Sequence, residues 1–117
     1  MLPPYLRDDI LNITYGEILD KVIFFREVGD ADFLWQTLPI LNKIKLKKGD
    51  ILYWKGDGAD QMFFILNGRV KLYSDGHPFI QYRQGEKFGD SDALLDLPRD
   101  GKAIAMTHLN LMSLSVS

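Results

Sequence analysis

The sequence contains no cysteine, which removes disulfide scaffolds, thiolate metal sites and cysteine nucleophiles from consideration. Histidine is nearly absent too. The two copies, His77 and His108, have no recognisable partner for general-base work, and two imidazoles cannot assemble the multi-histidine metal site of a cupin-type barrel. No catalytic residue and no metal ligand is expected, and the chain is not read as an enzyme. No apolar run approaches the roughly 18 residues that a membrane-crossing helix needs, and the start, MLPPYLRDDI, has no signal-peptide core. There is no basic excess: 14 Lys and Arg against 16 Asp and Glu give a formal charge of −2, opposite in sign to a nucleic-acid footprint, so no nucleic-acid partner is expected. Neither G-x-G-x-x-G nor a P-loop motif occurs, which excludes the common nucleotide cradles built on those glycines.

What is present is ordinary globular material: 117 residues, 46% hydrophobic and 26% charged, enough for one domain with one core. Residues 3–22 place Leu6, Ile10, Ile13, Ile18 and Val22 at helical spacings, which predicts one helix or two broken near Gly16. In GDADFLWQTLPIL, Asp30 or Asp32 can cap a helix with Phe33, Leu34, Leu38 and Leu41 on its apolar face, kinked or ended by Pro39. From Lys43 onward the texture changes to short β-type runs separated by glycine turns: KIKLK, ILYW, QMFFIL, RVKLYS, PFIQYR, AIAMT and LNLMSLSV. Their spacing predicts an antiparallel barrel or sandwich. Asn67-Gly68 is the strongest turn signal, because type I′ turns need positive φ at both central residues. It predicts a hairpin pairing residues 63–65 with 70–72. Gly56-Asp57-Gly58-Ala59-Asp60 lacks the alternating ligands of a calcium loop and reads as a turn.

One run inside the β-region, SDALLDL, has helical spacing, and it lies within KFGDSDALLDLPRDGKAIA, residues 87–105. Gly89 precedes this short helix and Arg99 follows it. A helix start with unpaired N–H groups and a forked guanidinium can share one anion, which makes a phosphate seat. The same residues admit a purely structural reading, in which Asp90 or Ser91 caps the helix and Arg99 pairs with Asp96 or Asp100.

The order FG-acid, short helix, Pro-Arg, strand resembles the phosphate-binding cassette of cyclic nucleotide-binding domains, and KKGDILYWKGDGADQMFFILNGRVKLY resembles their jelly-roll core. LPPYLRDDI resembles the last linker helices that join a channel pore to such a domain. LNLMSLSVS resembles the final strand in hyperpolarisation-activated and cyclic nucleotide-gated channels. The resemblance covers nearly the whole chain. It implies an α+β, mainly β, antiparallel jelly-roll barrel with N-terminal helices and a short helix in the cassette. Residues 1–22 would be the end of the channel-type linker, and 23–117 a nucleotide-binding domain lacking its C-terminal lid helix.

The function implied is that of a cytoplasmic regulatory domain of a cyclic nucleotide-gated or voltage-gated cation channel. Its ligand would be cAMP or cGMP, with no cofactor, and its partner the remainder of a channel polypeptide in a homotetramer. The resemblance carries the nucleotide site onto Phe88, Gly89, Asp90, Ser91, Arg99 and Asp100, with Asp90 on the ribose 2′-hydroxyl and Arg99 on the cyclic phosphate. Asp90 is shorter than the usual Glu, Asp100 replaces a small or hydroxyl residue, Lys102 another small polar one, and Asp92 a small or apolar one. A carboxylate about 4 Å from a phosphate costs about 4 kcal/mol at an effective dielectric near 20, whereas a charged hydrogen bond returns about 1.5–3 kcal/mol. An inward Asp100 therefore opposes binding; an outward one, or one paired with Lys102, leaves it weakened. Two other roles share this frame: a nucleotide-free homology domain acting through domain contacts, and the regulatory domain of a cyclic nucleotide-dependent kinase.

Overall fold

The computed structural model describes residues 4–116, with side chains from Asp9 onward. The ends of the predicted linker and of the last strand, residues 1–3 and Ser117, lie outside the described residues. The first helix, α1 (Pro4–Lys21), breaks at Tyr15, whose φ of −121° and ψ of 19° are non-helical, beside the expected Gly16. Its buried stripe is Leu11, Ile18 and Val22, with Tyr15 and Leu19 half-buried. The predicted stripe is corrected at Ile10 and Ile13, which face solvent: the 4–3–4 spacing from Leu11 through Tyr15 and Ile18 to Val22 uses the opposite side of the helix. Leu6 lies outside the described side chains.

A helix that the sequence reading did not anticipate follows, α2 (Ile23–Val28), ended by Gly29 in the left-handed conformation. Asp30 then caps α3 (Ala31–Thr37), its carboxylate accepting from the N–H groups of Asp32 and Phe33 at 3.0 and 3.3 Å. Pro39 sits in a 3-10 turn (Leu38–Ile40) that ends the helical region. Phe25 packs on Phe64 with centroids 4.6 Å apart, a contact worth about 0.5–1.5 kcal/mol beyond burial.

The remainder forms two four-stranded antiparallel sheets with one short helix. The strands are β1 (Asn42–Leu46), β2 (Ile51–Tyr53), β3 (Gln61–Asn67), β4 (Arg69–Ser74), β5 (His77–Arg83), β6 (Lys87–Phe88), β7 (Lys102–Ala105) and β8 (Leu109–Ser115). The helix is α4 (Asp90–Leu94), between β6 and β7. One sheet runs β1-β8-β3-β6 and the other β2-β7-β4-β5. This is the mainly β, α+β jelly roll with N-terminal helices that the sequence implied. Between the sheets lie Phe63, Ile65, Val70, Leu72, Phe88, Ala103, Leu109 and Leu111. Strand β3 is buried on both faces: Phe63 and Ile65 enter the barrel, while Phe64 and Leu66 meet the helices.

The predicted Asn67-Gly68 hairpin is overturned. Strand β3 pairs with β8 and β6, and β4 with β5 and β7, so the chain changes sheets at Gly68. Gly68 has φ +104°, and a Cβ there would stand 2.4 Å from the His108 carbonyl oxygen. Only glycine permits this crossing against residues 107–109. The hairpin geometry instead occurs at Asp75-Gly76, both with positive φ, joining Ser74 to His77.

Candidate functional site

Arg99 is 4% exposed, and its guanidinium spends its donors on the fold itself. Nη1 donates to the Gly89 carbonyl at 2.8 Å and Nη2 to the Gln61 carbonyl at 2.6 Å. The guanidinium carbon lies 4.5 Å from the Tyr53 ring centre and 5.6 Å from that of Phe63. The Gly56–Asp57 turn grips the Arg99 backbone from both sides: Arg99 N–H donates to the Asp57 carbonyl and Gly56 N–H to the Arg99 carbonyl, each at 2.8 Å. Turn chemistry is thus what this glycine-rich loop performs, and the Asp57 carboxylate accepts from Trp54 N–H.

Gly89 has φ +77°, and a Cβ there would lie 2.9 Å from Arg99 Nη1. A glycine at a helix start leaves room for another group to approach the backbone closely; the group that approaches here is Arg99. Gly89 also caps α4, with no side-chain hydrogen bond, so neither Asp90 nor Ser91 has the capping role. Lys87 instead pairs with Asp90. Arg99 pairs with neither Asp96 nor Asp100: the neighbouring carboxylate is Asp92, with Oδ2 3.9 Å from Nη1.

A cavity of about 140 Å³ lies next to this cluster, lined by Tyr53, Leu72, Phe79, Ile80, Tyr82, Gly89, Asp90, Ser91, Asp92 and Asp100 but not by Arg99. Of the residues that the resemblance singled out, Gly89, Asp90, Ser91 and Asp100 come together here. Arg99 lies beside them, and Phe88 is a core residue stacked between Phe63 and Tyr82. Tyr53, Phe63, Gln61, Tyr82 and Phe79 complete the site from other strands, and no local motif marked them.

Three carboxylates face one small space, and their charges act on each other. Burial raises the Asp90 pKa, but the Lys87 hydrogen bond and charge, with the backbone N–H groups of Asp90 and Ser91, outweigh it and hold the carboxyl below its ordinary value. Burial and the charge of Asp100 raise Asp92, against the opposing pull of Arg99. Burial dominates the upward shift of the Tyr53 hydroxyl, to which Asp100 and Asp92 add. That hydroxyl is buried without a hydrogen-bond partner among the described residues. Asp100 lines the cavity and influences Asp92, Tyr53 and Tyr82, so it belongs to the pocket's field. Lys102 does not neutralise it; its ammonium lies 5.2 Å from the centre of the Trp54 ring.

A two-sheet jelly roll interrupted between β6 and β7 by a short helix and a buried arginine defines the architecture. The profile of the cyclic nucleotide-binding domain matches residues 43–117, from the first strand through the whole cassette. The chain belongs to that family. It is 30% identical over 98 residues to a cyclic nucleotide-gated potassium channel of Rhizobium etli, covering 84% of this chain and 27% of that protein. It is 27% identical over 111 residues to the human potassium/sodium hyperpolarization-activated cyclic nucleotide-gated channel 2, covering 95% of this chain and 12% of that one. The chain therefore spans about a quarter or less of these relatives. Its fold matches the regulatory subunit of a cAMP-independent protein kinase A from Trypanosoma brucei with a TM-score of 0.79, at 20% identity, over 89% of this chain and 38% of that one. No described helix is long and apolar enough to cross a membrane.

Proposed function

We propose that the chain is the cytoplasmic regulatory domain of a cyclic nucleotide-gated or voltage-gated cation channel, and that cAMP or cGMP, held weakly at the cassette, is its input. The partner is then the rest of a channel polypeptide, in a homotetramer. The observation that carries this reading is a cavity lined by Gly89, Asp90 and Ser91, with the Arg99 guanidinium hydrogen-bonded to the Gly89 carbonyl. The channel context is supported by the human relative, whose similarity extends over 95% of this chain and so into the N-terminal helices.

The path from input to output is short. The cassette begins at β6, two residues after Gly85, and the Gly85 carbonyl accepts from the N–H of Ile23 at the start of α2 at 3.0 Å. Lys21 at the end of α1 donates to Asn67 Oδ1 at 3.0 Å. A ligand that prefers one arrangement of cassette and helices shifts the population toward it, by no more than its difference in affinity for the two states.

Low affinity follows from charge. Asp90, Asp92 and Asp100 oppose a phosphate, while Lys87 is paired to Asp90 and Arg99 is bonded to two carbonyls. Calorimetric titration with cAMP and cGMP tests the reading: heat with a Kd on the order of 1 mM, or about −4 kcal/mol, is expected. No heat from either nucleotide at millimolar concentration overturns it. That result would favour the nucleotide-free homology domain, a reading to which the prior engagement of Arg99 by Gly89, Gln61 and Asp92 lends weight. The kinase-regulatory alternative has support in sequence as well as fold: the chain is 23% identical over 117 aligned positions, covering 87% of its length, to the cAMP-dependent protein kinase regulatory subunit of Hypocrea atroviridis.

A further inference from the structure

Asp92 is the acid that the position least explains. It lies in α4 with only 17% of its side chain exposed, and a carboxylate withdrawn from water is costly unless a partner compensates it. Its partner is the Arg99 guanidinium, 3.9 Å away, which together with the Asp100 backbone pulls toward the charged form; burial and the Asp100 charge outweigh that pull and leave its pKa raised. The other acids of the segment stand differently. Asp90 has Lys87, while Asp96 and Asp100 are exposed.

A guanidinium and a backbone N–H aimed at one small volume are the donors that an anionic ligand group would use, and here a side chain of the same chain stands before them. We propose that Asp92 is a tethered anion on the Arg99 seat, an internal stand-in for a ligand phosphate that closes α4 onto the 99–100 turn and must leave before a cyclic phosphate can bind. This rests on the reading of the cassette as a nucleotide input. Asp100 has a different role: it faces the cavity without contacting the guanidinium, so it adds to the negative field there but does not occupy the seat.

The geometry also accounts for the helix. The Leu95 N–H donates to the Ser91 carbonyl and the Leu97 N–H to that of Asp92, so α4 (Asp90–Leu94) runs directly into the segment before Arg99, and the Asp92 carboxylate faces the guanidinium from its first turn. Removal of the carboxylate frees the seat and empties the volume it fills at once. The neutral but isosteric Asp92→Asn separates the two effects, because it removes the charge and keeps the volume.

The test is calorimetric titration of the chain with cAMP and with cGMP for the parent sequence, Asp92→Asn, Asp92→Ala and Asp96→Asn, each first shown by circular dichroism to melt cooperatively. Asp96 has φ +53°, a conformation asparagine accepts readily, and it lies outside the cavity lining. Its neutralisation changes the net charge by the same one unit without touching the seat. The expected result is that Asp92→Asn and Asp92→Ala each tighten binding at least tenfold while Asp96→Asn leaves the parent Kd unchanged. Measurable parent binding with no gain in either Asp92 variant overturns the tethered anion and leaves the nucleotide input standing. A parent without binding and an Asp92→Ala that binds upholds the tethered anion and overturns the nucleotide input of the parent. Binding by no variant overturns both, and equal gains in Asp96→Asn and Asp92→Asn overturn the tethered anion by showing that net charge suffices.

Discussion

Substitution of Arg99 by alanine separates the two functions of that residue, because its guanidinium is built into the fold before any ligand arrives. The change leaves the Gly89 and Gln61 carbonyls without their donors and strips the Tyr53 and Phe63 rings of the cation that lies against both. A hydrogen bond from a charged donor contributes about 1.5–3 kcal/mol, and a desolvated cation–π contact up to about 2 kcal/mol. The contributions are not additive, and the Asp92 carboxylate also loses its cation. A total of about 3–5 kcal/mol is expected, near the upper end of single substitutions. For a chain of this size that lowers Tm by roughly 10–15 °C. Urea denaturation of the parent, Arg99→Ala and Arg99→Lys measures it, with the lysine variant intermediate because it keeps the charge but not the fork or the planar stack. A loss below about 1 kcal/mol in Arg99→Ala, without ligand, would refute the claim that Arg99 is a structural element of the barrel.

Gly89→Ala places a Cβ 2.9 Å from Arg99 Nη1 at φ +77°, and the left-handed conformation alone costs about 1–2 kcal/mol; a loss of about 2 kcal/mol in urea denaturation is expected. Gly68→Ala meets the His108 carbonyl backbone at 2.4 Å, which cannot yield as a side chain can; loss of the cooperative thermal transition, or a destabilisation above about 3 kcal/mol, is expected. Asp92 carries a raised pKa, from burial first and the Asp100 charge second. Its ionised form therefore weakens the fold at neutral pH, and that penalty disappears as pH falls through its folded value. Asp92→Asn should raise Tm at pH 7 and lose the advantage in acid. Asp90 has the opposite sign: its pKa is lowered, so its contribution is present above the ordinary carboxylate value and is lost as pH falls through the folded one. Asp90→Asn should lower Tm at pH 7 and leave it unchanged in strong acid.

Local chemistry is what made parts of the fold legible. The Asp30 cap, the Pro39 stop and the strand runs were visible because each depends on residues a few positions apart. The α2 helix was missed because IFFREV is short and its buried face is supplied by Phe64 of β3, far along the chain. The Asn67-Gly68 error has the same origin. The dipeptide has the chemistry of a hairpin turn, but β8 takes the edge of β3 that β4 would have used, so the chain crosses between sheets. The order of glycine, acid and arginine marked the segment whose Gly89, Asp90, Ser91 and Asp100 line one cavity, whereas Tyr53, Gln61 and Phe63 are recruited by strand pairing and carry no local signal.

By itself the sequence determined an antiparallel barrel or sandwich, through periodicity and turn residues, and its resemblance to cyclic nucleotide-binding domains, through motif order, implied the jelly-roll frame and the cassette segment. The tertiary structure decided what Arg99 touches and where the acids point. Asp100 lines the cavity, Lys102 rests on Trp54, and Asp92 stands at the guanidinium. These facts depend on which distant strands converge and which side chains share a desolvated volume. Charges interact through distance and dielectric, and neither is written in the order of the residues.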